Sequence, residues 1–99
     1  MNPETAERLR SLDIQLVSET KGHYVFARDN CLTLVERTEA GFGSIGSTGV
    51  MTEAGLAYLV WREGRAVLLG KGREALAEPA QVKAIQRFSE DLKTALGGL

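Results

Sequence analysis

The chain is poor in the residues that most often carry chemistry: one cysteine, one histidine and one tryptophan among 99 residues. A single cysteine cannot form an internal disulfide, and that fits a reducing, cytoplasmic setting. One histidine and one cysteine at separate places do not make a zinc site, so no metal centre is expected. Charge of one sign is also missing. Twelve basic residues are scattered among thirteen acidic ones, for a net charge of -1. Without an excess of lysine and arginine there is little to neutralise a phosphate backbone, so nucleic acid is not an expected partner. No apolar run approaches the roughly 20 residues that span a bilayer, and membrane partners are not expected either. The first residues, "MNPETAERLR", are polar, unlike a cleavable secretory signal. There is no repeat, linker or low-complexity segment, so residues 1–99 read as one domain.

Proline is nearly absent, and both copies stand where a helix would begin. Asn2 can cap, Pro3 suits a first helical position and Glu4 favours the N-terminal dipole, which predicts a short helix over "NPETAERLRSLD". Pro79 opens and Gly97 closes a longer one. Within it Val82, Ile85, Phe88, Ser89, Leu92, Ala95 and Leu96 recur at spacings of three and four. Lys83, Gln86, Arg87, Glu90, Asp91 and Thr94 fill the other side. This is the pattern of a helix packed on a sheet.

Between the helices the period becomes two. "IQLVSE", "HYVFAR" and "CLTLVER" are joined by the turn formers Lys21-Gly22 and Asp29-Asn30. Two-residue hairpins would set Ser18 opposite Val25, Leu16 opposite Ala27, Ala27 opposite Leu32 and Val25 opposite Leu34. Ile14, Leu16, Val25, Ala27, Leu32 and Leu34 then share one apolar face. The other face carries Val17, Tyr24, Phe26 and Val35 as an apolar island rimmed by charge, a pattern suited to a protein partner. The competing explanation is that the sheet's curl or a loop covers the island.

"GLAYLVWREGRAVLLGKG" reads as a further hairpin turning at Glu63-Gly64, with Val60 opposite Val67 and Trp61 opposite Ala66. Leu56, Tyr58, Val60, Val67 and Leu69 occupy one face and Ala57, Leu59, Trp61, Ala66 and Leu68 the other. A sheet apolar on both sides must cover both, and the helices can cover only one. Symmetric dimers dominate soluble oligomers, so a homodimer is expected.

Glycine, by contrast, is concentrated. "GFGSIGSTG" (41–49) opens with the spacing G-x-G-x-x-G of a dinucleotide-binding turn. That turn needs a buried strand running into the first glycine and a helix starting within the motif. Here "RTEA" precedes it, and Gly49 and Gly55 interrupt any helix that would follow. No Lys-Ser or Lys-Thr completes a P-loop. The segment instead alternates as a strand, with Ile45, Ser47, Gly49 and Met51 on one side and Ser44, Gly46, Thr48 and Val50 on the other. Glycine in a strand marks a bulge, a bend or the close approach of another group; Trp61 is the candidate for filling the space. A small ligand over Ser44, Ser47, Thr48 and Trp61 is the alternative use of this strand.

A second glycine motif, "GKGRE" (70–74), could hold an anion on Lys71 and Arg73, but a solvated loop is the plainer expectation. Cys31 and His23 invite a nucleophile reading, yet the hairpin register separates them by about 16 Å at ~3.3 Å per residue. No pair of acids is pinned for acid–base work, since Glu36, Glu39, Glu53 and Glu63 fall at strand ends and turns. No cofactor is expected.

The sequence therefore predicts an α+β domain: a short N-terminal helix, about six antiparallel strands in a meander and a long C-terminal helix on one sheet face. Its expected role is a non-catalytic cytoplasmic interaction module, dimeric through a sheet face, with a possible further protein partner. A small-ligand binder or modest enzyme built on the glycine/serine strand is the alternative.

Overall fold

The computed structural model describes residues 1–53 and 55–97. Helix α1 (Pro3–Ser11) comes first, then seven strands, β1 (Gln15–Glu19), β2 (His23–Arg28), β3 (Cys31–Thr38), β4 (Gly41–Thr52), β5 (Gly55–Arg62), β6 (Arg65–Gly70) and β7 (Arg73–Leu76), and finally α2 (Pro79–Ala95). The strands form one antiparallel sheet in chain order, β1 to β7. The α+β meander is as expected, with seven strands rather than six. The extra strand comes from "GKGRE". Lys71 and Gly72 adopt φ of 49° and 76°, the two left-handed positions of a tight hairpin turn. Arg73 then pairs with Gly70 and Leu76 with Val67. The expected solvated loop is thus a turn followed by an edge strand.

Both helices start as their sequences dictate. Asn2 Oδ1 accepts from Thr5 N at 2.8 Å, and Glu78 forms a capping box with Gln81, whose Oε1 accepts from Glu78 N at 2.8 Å. No helix among the described residues is long and apolar enough to cross a membrane.

The expected register holds for β2–β3, where Val25 meets Leu34, Ala27 meets Leu32 and Arg28 meets Cys31, and for β5–β6, where Val60 meets Val67 and Trp61 meets Ala66. It breaks within β1. Ser18 does face Val25, but a bulge at Val17 sets Leu16 against Phe26 and Gln15 against Ala27. One extra residue inverts the faces on one side of it. The inversion lets Ile14 turn under α1, where its N–H donates to Leu9 O at 2.9 Å and its side chain is buried.

The bulges of β4 account for its glycines. Thr33 pairs with Thr48, Val35 with Ile45 and Arg37 with Phe42. Gly46 and Ser47 together therefore oppose Leu34, and Gly43 and Ser44 together oppose Glu36. A Cβ on Gly46 would stand 3.0 Å from Leu34 O, and one on Gly43 would strike the Glu36 side chain. Each bulge brings the strand close to its partner, to the Leu34 backbone at Gly46 and to the Glu36 side chain at Gly43, where a glycine avoids crowding. The double bulge also overturns the simple alternation expected for this strand. Ile45 lies on the helix side together with Thr48 and Val50, all three packed at or against the main core.

The core forms on the face beneath α2. Phe26, Val35, Phe88 and Leu92 have no exposure, and Leu9, Ile14, Cys31, Val50, Ala57 and Leu68 join them. Tyr24, Phe26 and Phe42 form a ring cluster, with Tyr24 and Phe42 meeting edge-on at 5.2 Å between centroids. Thr48 Oγ1 bridges Thr33 Oγ1 at 2.7 Å and Ser89 Oγ at 2.5 Å, so a short hydroxyl chain ties the sheet to α2. Arg28 fastens the other end. Its guanidinium donates to Leu12 O at 3.0 Å and to Asp91 Oδ2 at 2.9 Å while resting over the Phe88 ring.

Gly70 makes the tightest approach to backbone among the described glycines. A Cβ there would stand 2.6 Å from Leu56 O and 3.2 Å from Ala57 Cα. Both are backbone atoms that cannot rotate away. Gly70→Ala should therefore cost about 1–3 kcal/mol by overpacking. Urea denaturation followed by circular dichroism measures it, and an unchanged midpoint would disprove the contact.

Candidate functional site

The pleat divides the sheet into two surfaces of different fate. Phe26, Arg28, Thr33, Val35, Thr48, Ala57 and Leu68 point toward the helices. The opposite surface follows from the register: Val25 and Leu34, Ala27 with Leu32 and Gly49, then Gly49 with Tyr58 and Leu69, and Val60 with Val67 and Leu76. Met51 and Leu56 pair at its edge. Around Gly49 the packing is explicit: a Cβ there would meet Leu56 Cδ1 at 2.9 Å and Tyr58 Cε1 at 3.2 Å. Leu56 and Tyr58 therefore roof that glycine, and they occupy the space that sequence reasoning gave to Trp61.

Among the described residues the helices lie elsewhere: α1 packs on α2, and α2 on β3 and β4. The central side chains of this surface are half-buried and Val67 is buried, whereas Leu34, Met51 and Leu76 stand 37%, 47% and 64% exposed. The rows are apolar from β2 to β6, and at the β7 edge Glu74 stands opposite Leu69 on this same face. Charges gather at the rims, with His23 and Glu36 paired at one end and an Arg62–Glu74 ion pair at the other. An apolar centre within a charged border is how protein interfaces are laid out.

The island expected for a partner takes a different position. Phe26 and Val35 are fully buried and Tyr24 is half-buried against Phe42, all on the face that α2 covers. Val17, the bulge residue, is alone among the four in being exposed, at 52%. Side chains without exposed surface cannot meet a partner, so these four do not form one docking patch. The physical reason is volume. The aromatic rings offer α2 more area to bury than Val25, Ala27, Leu32 and Leu34 do, and the helix settles on them.

Nor do the four candidate ligand residues converge. Thr48 is buried and hydrogen-bonded beneath α2, while Ser44 and Ser47 are exposed in the bulges. Trp61 is exposed and lies beyond the paired part of β5 and β4, which runs only from Gly49–Tyr58 to Thr52–Gly55. It borders a shallow cleft with Arg62, Glu74 and Leu76 instead. The separation expected of His23 and Cys31 follows from the hairpin, since Cys31 pairs with Arg28 and His23 with Glu36.

Cys31 lines a cleft of about 690 Å³ between the β2–β3 turn and α2, but it is buried. Burial pushes its thiol above the ordinary value, with Arg28 pulling weakly the other way and Asp29 adding to the rise. A thiol held protonated is a poor nucleophile. It should resist alkylation in the native state and react fully in denaturant; native labelling as fast as that of a free thiol would contradict this. The native state also binds the thiol proton more tightly than the unfolded chain. Stability from this group is therefore present below the ordinary thiol pKa and is lost as pH rises through the raised one. Among the described residues no three His, Cys, Asp or Glu side chains are placed to hold a metal ion.

No protein-family model matches the chain, and no curated protein or solved structure is similar to it.

Proposed function

We propose that the protein is a non-catalytic interaction module of the cytoplasm that works as a homodimer through the open sheet face. The observation that supports this reading is the apolar surface of β2 to β6 opposite the helices, with Leu34, Met51 and, on the β7 edge, Leu76 exposed, and charge at its rims and at Glu74. Leaving such a surface in water forgoes about 25 cal/mol for every Å² it could bury. A second copy is the occupant this surface fits. Two identical apolar sheet faces can pack about 10 Å apart across a twofold axis. The small size of the chain favours the same outcome, because a domain of about 100 residues buries a modest share of its own surface.

Catalysis has little support. The one cysteine is buried, the hydroxyls of Thr33, Thr48 and Ser89 satisfy one another, and Asp91, the acid that lines the cleft beside Cys31 and Phe88, is held by Arg28.

Sedimentation equilibrium tests the reading. Twice the chain mass of 10.7 kDa at micromolar concentration is the expected result. A monomer persisting at millimolar concentration would contradict it.

A further inference from the structure

The helix side of the sheet is not fully covered either. α2 lies over β3 and β4, and beyond its first turn a cleft of about 750 Å³ opens onto β5, β6 and β7. That volume is typical of small-molecule sites. Its floor is apolar and shallow-chained: Ala57, Leu68 and Ala75, with Gly70 between them. The alanines and the glycine give the cleft its depth.

The charges around it are unevenly engaged. Glu74 is held by Arg62, and Glu78 is taken up in the capping box that closes the N-terminus of α2. Both acids are thus satisfied within the chain. The two cations are not: among the described residues neither Lys71 nor Arg73 has an acidic partner. The turn places them at one end of the cleft. Lys71 Nζ would lie 3.3 Å from a Cβ on Gly55, and Arg73 stands opposite Gly70 on the ladder, on the same face as Ala75. Two free cations beside a dry floor select one class of ligand. The apolar floor rewards a hydrocarbon chain, and the cations reward an anion at its end.

We propose that this cleft binds a small anionic amphiphile, a carboxylate or phosphate monoester on a short apolar chain. The headgroup sits between Lys71 and Arg73 and the chain lies along Ala57 and Leu68. The glycines of "GKGRE" shape the turn that delivers the two cations; they do not wrap the anion themselves. The cleft opens on the helix side of the sheet and reaches Leu56 and Leu76 at its border with the dimer surface; Leu34 lies outside it, so a change there tests the dimer separately from this site.

The experiment is a titration of the 99-residue chain with decanoate, decyl phosphate, decanol and decyltrimethylammonium, each below its aggregation concentration, followed by backbone amide chemical shifts. Decanoate and decyl phosphate should saturate, with shifts centred on Ala57, Leu68 and Arg73, and the better binder of the two identifies the headgroup. Decanol should bind at least about tenfold more weakly, and the Lys71→Gln, Arg73→Gln double variant should lose decanoate affinity by about the same factor or more. Both substitutions are at exposed positions, so the fold should persist, and the unperturbed remainder of the spectrum verifies it. A chain carrying Leu34→Asp should bind decanoate as the wild type does. Equal binding of all four probes, shifts on the Leu34 face, or full affinity in the double variant would each overturn the proposal.

Discussion

Leu34→Asp should turn the protein from dimer to monomer while leaving its fold and thermal midpoint nearly unchanged. Leu34 stands 37% exposed on the open sheet face. As a single chain it loses little when it becomes polar, because water reaches it already. In the dimer the same carboxylate would be trapped against apolar rows with no cation opposite. An unpaired buried charge costs about 3–5 kcal/mol, and a symmetric dimer buries one from each copy, so at ~1.4 kcal/mol per tenfold the dimer should weaken by at least roughly four powers of ten. Sedimentation and the far-ultraviolet spectrum read the two parts separately. A variant that stays dimeric with a native spectrum would show that the face is not the interface.

Phe26→Ala should have the opposite signature. Phe26 lies one residue from Val25 in the strand but on the other side of the sheet, with no exposed surface and with Tyr24 and Phe42 against its ring. Truncating it leaves a cavity beneath α2 and should cost about 3–5 kcal/mol. Total stabilities are about 5–15 kcal/mol, so the variant should be partly or wholly unfolded at physiological temperature. A guanidinium titration measures the loss. A loss below about 1 kcal/mol would mean that the ring is not enclosed as described. Adjacent residues with contrary effects, one on association and one on folding, are what an alternating strand between a helix and a partner predicts.

The contrast also marks how far the sequence could be read. The helices, the hairpins at Asp29-Asn30 and Glu63-Gly64, and the two-sided apolar character of β5 and β6 were legible, because each depends on local chemistry: a capping asparagine, a turn pair, a period of two or 3.6. Which face of β2 and β3 the helix would choose was not. Val25, Ala27, Leu32 and Leu34 outnumber Tyr24, Phe26 and Val35, and a count of apolar residues favours the wrong side. Phe42 decides the matter by joining Tyr24 and Phe26, and it comes from a strand whose register two bulges had already shifted. Bulges leave a faint trace in sequence. Here the trace was the glycines at 43 and 46, which signal crowding without saying what crowds them. The Val17 bulge left none, since its neighbours alternate as any strand does. The seventh strand was missed for a related reason: four residues with charge at two of them look like loop, and pairing with β6 gives "REAL" its form.

The open face was foreseen as a necessity rather than located. A sheet apolar on both sides with helices enough for one must leave the other uncovered, whichever side the helices take. That argument survives the exchange of faces, and the proposed dimer rests on it.

The most direct measurement is a set of intermolecular nuclear Overhauser contacts in a mixture of isotope-labelled and unlabelled protein. Contacts across the interface among Val25, Leu34, Met51, Val60 and Leu76 are predicted. Contacts arising instead from the outer side of α2, or none at concentrations where the wild type is fully associated, would contradict the account.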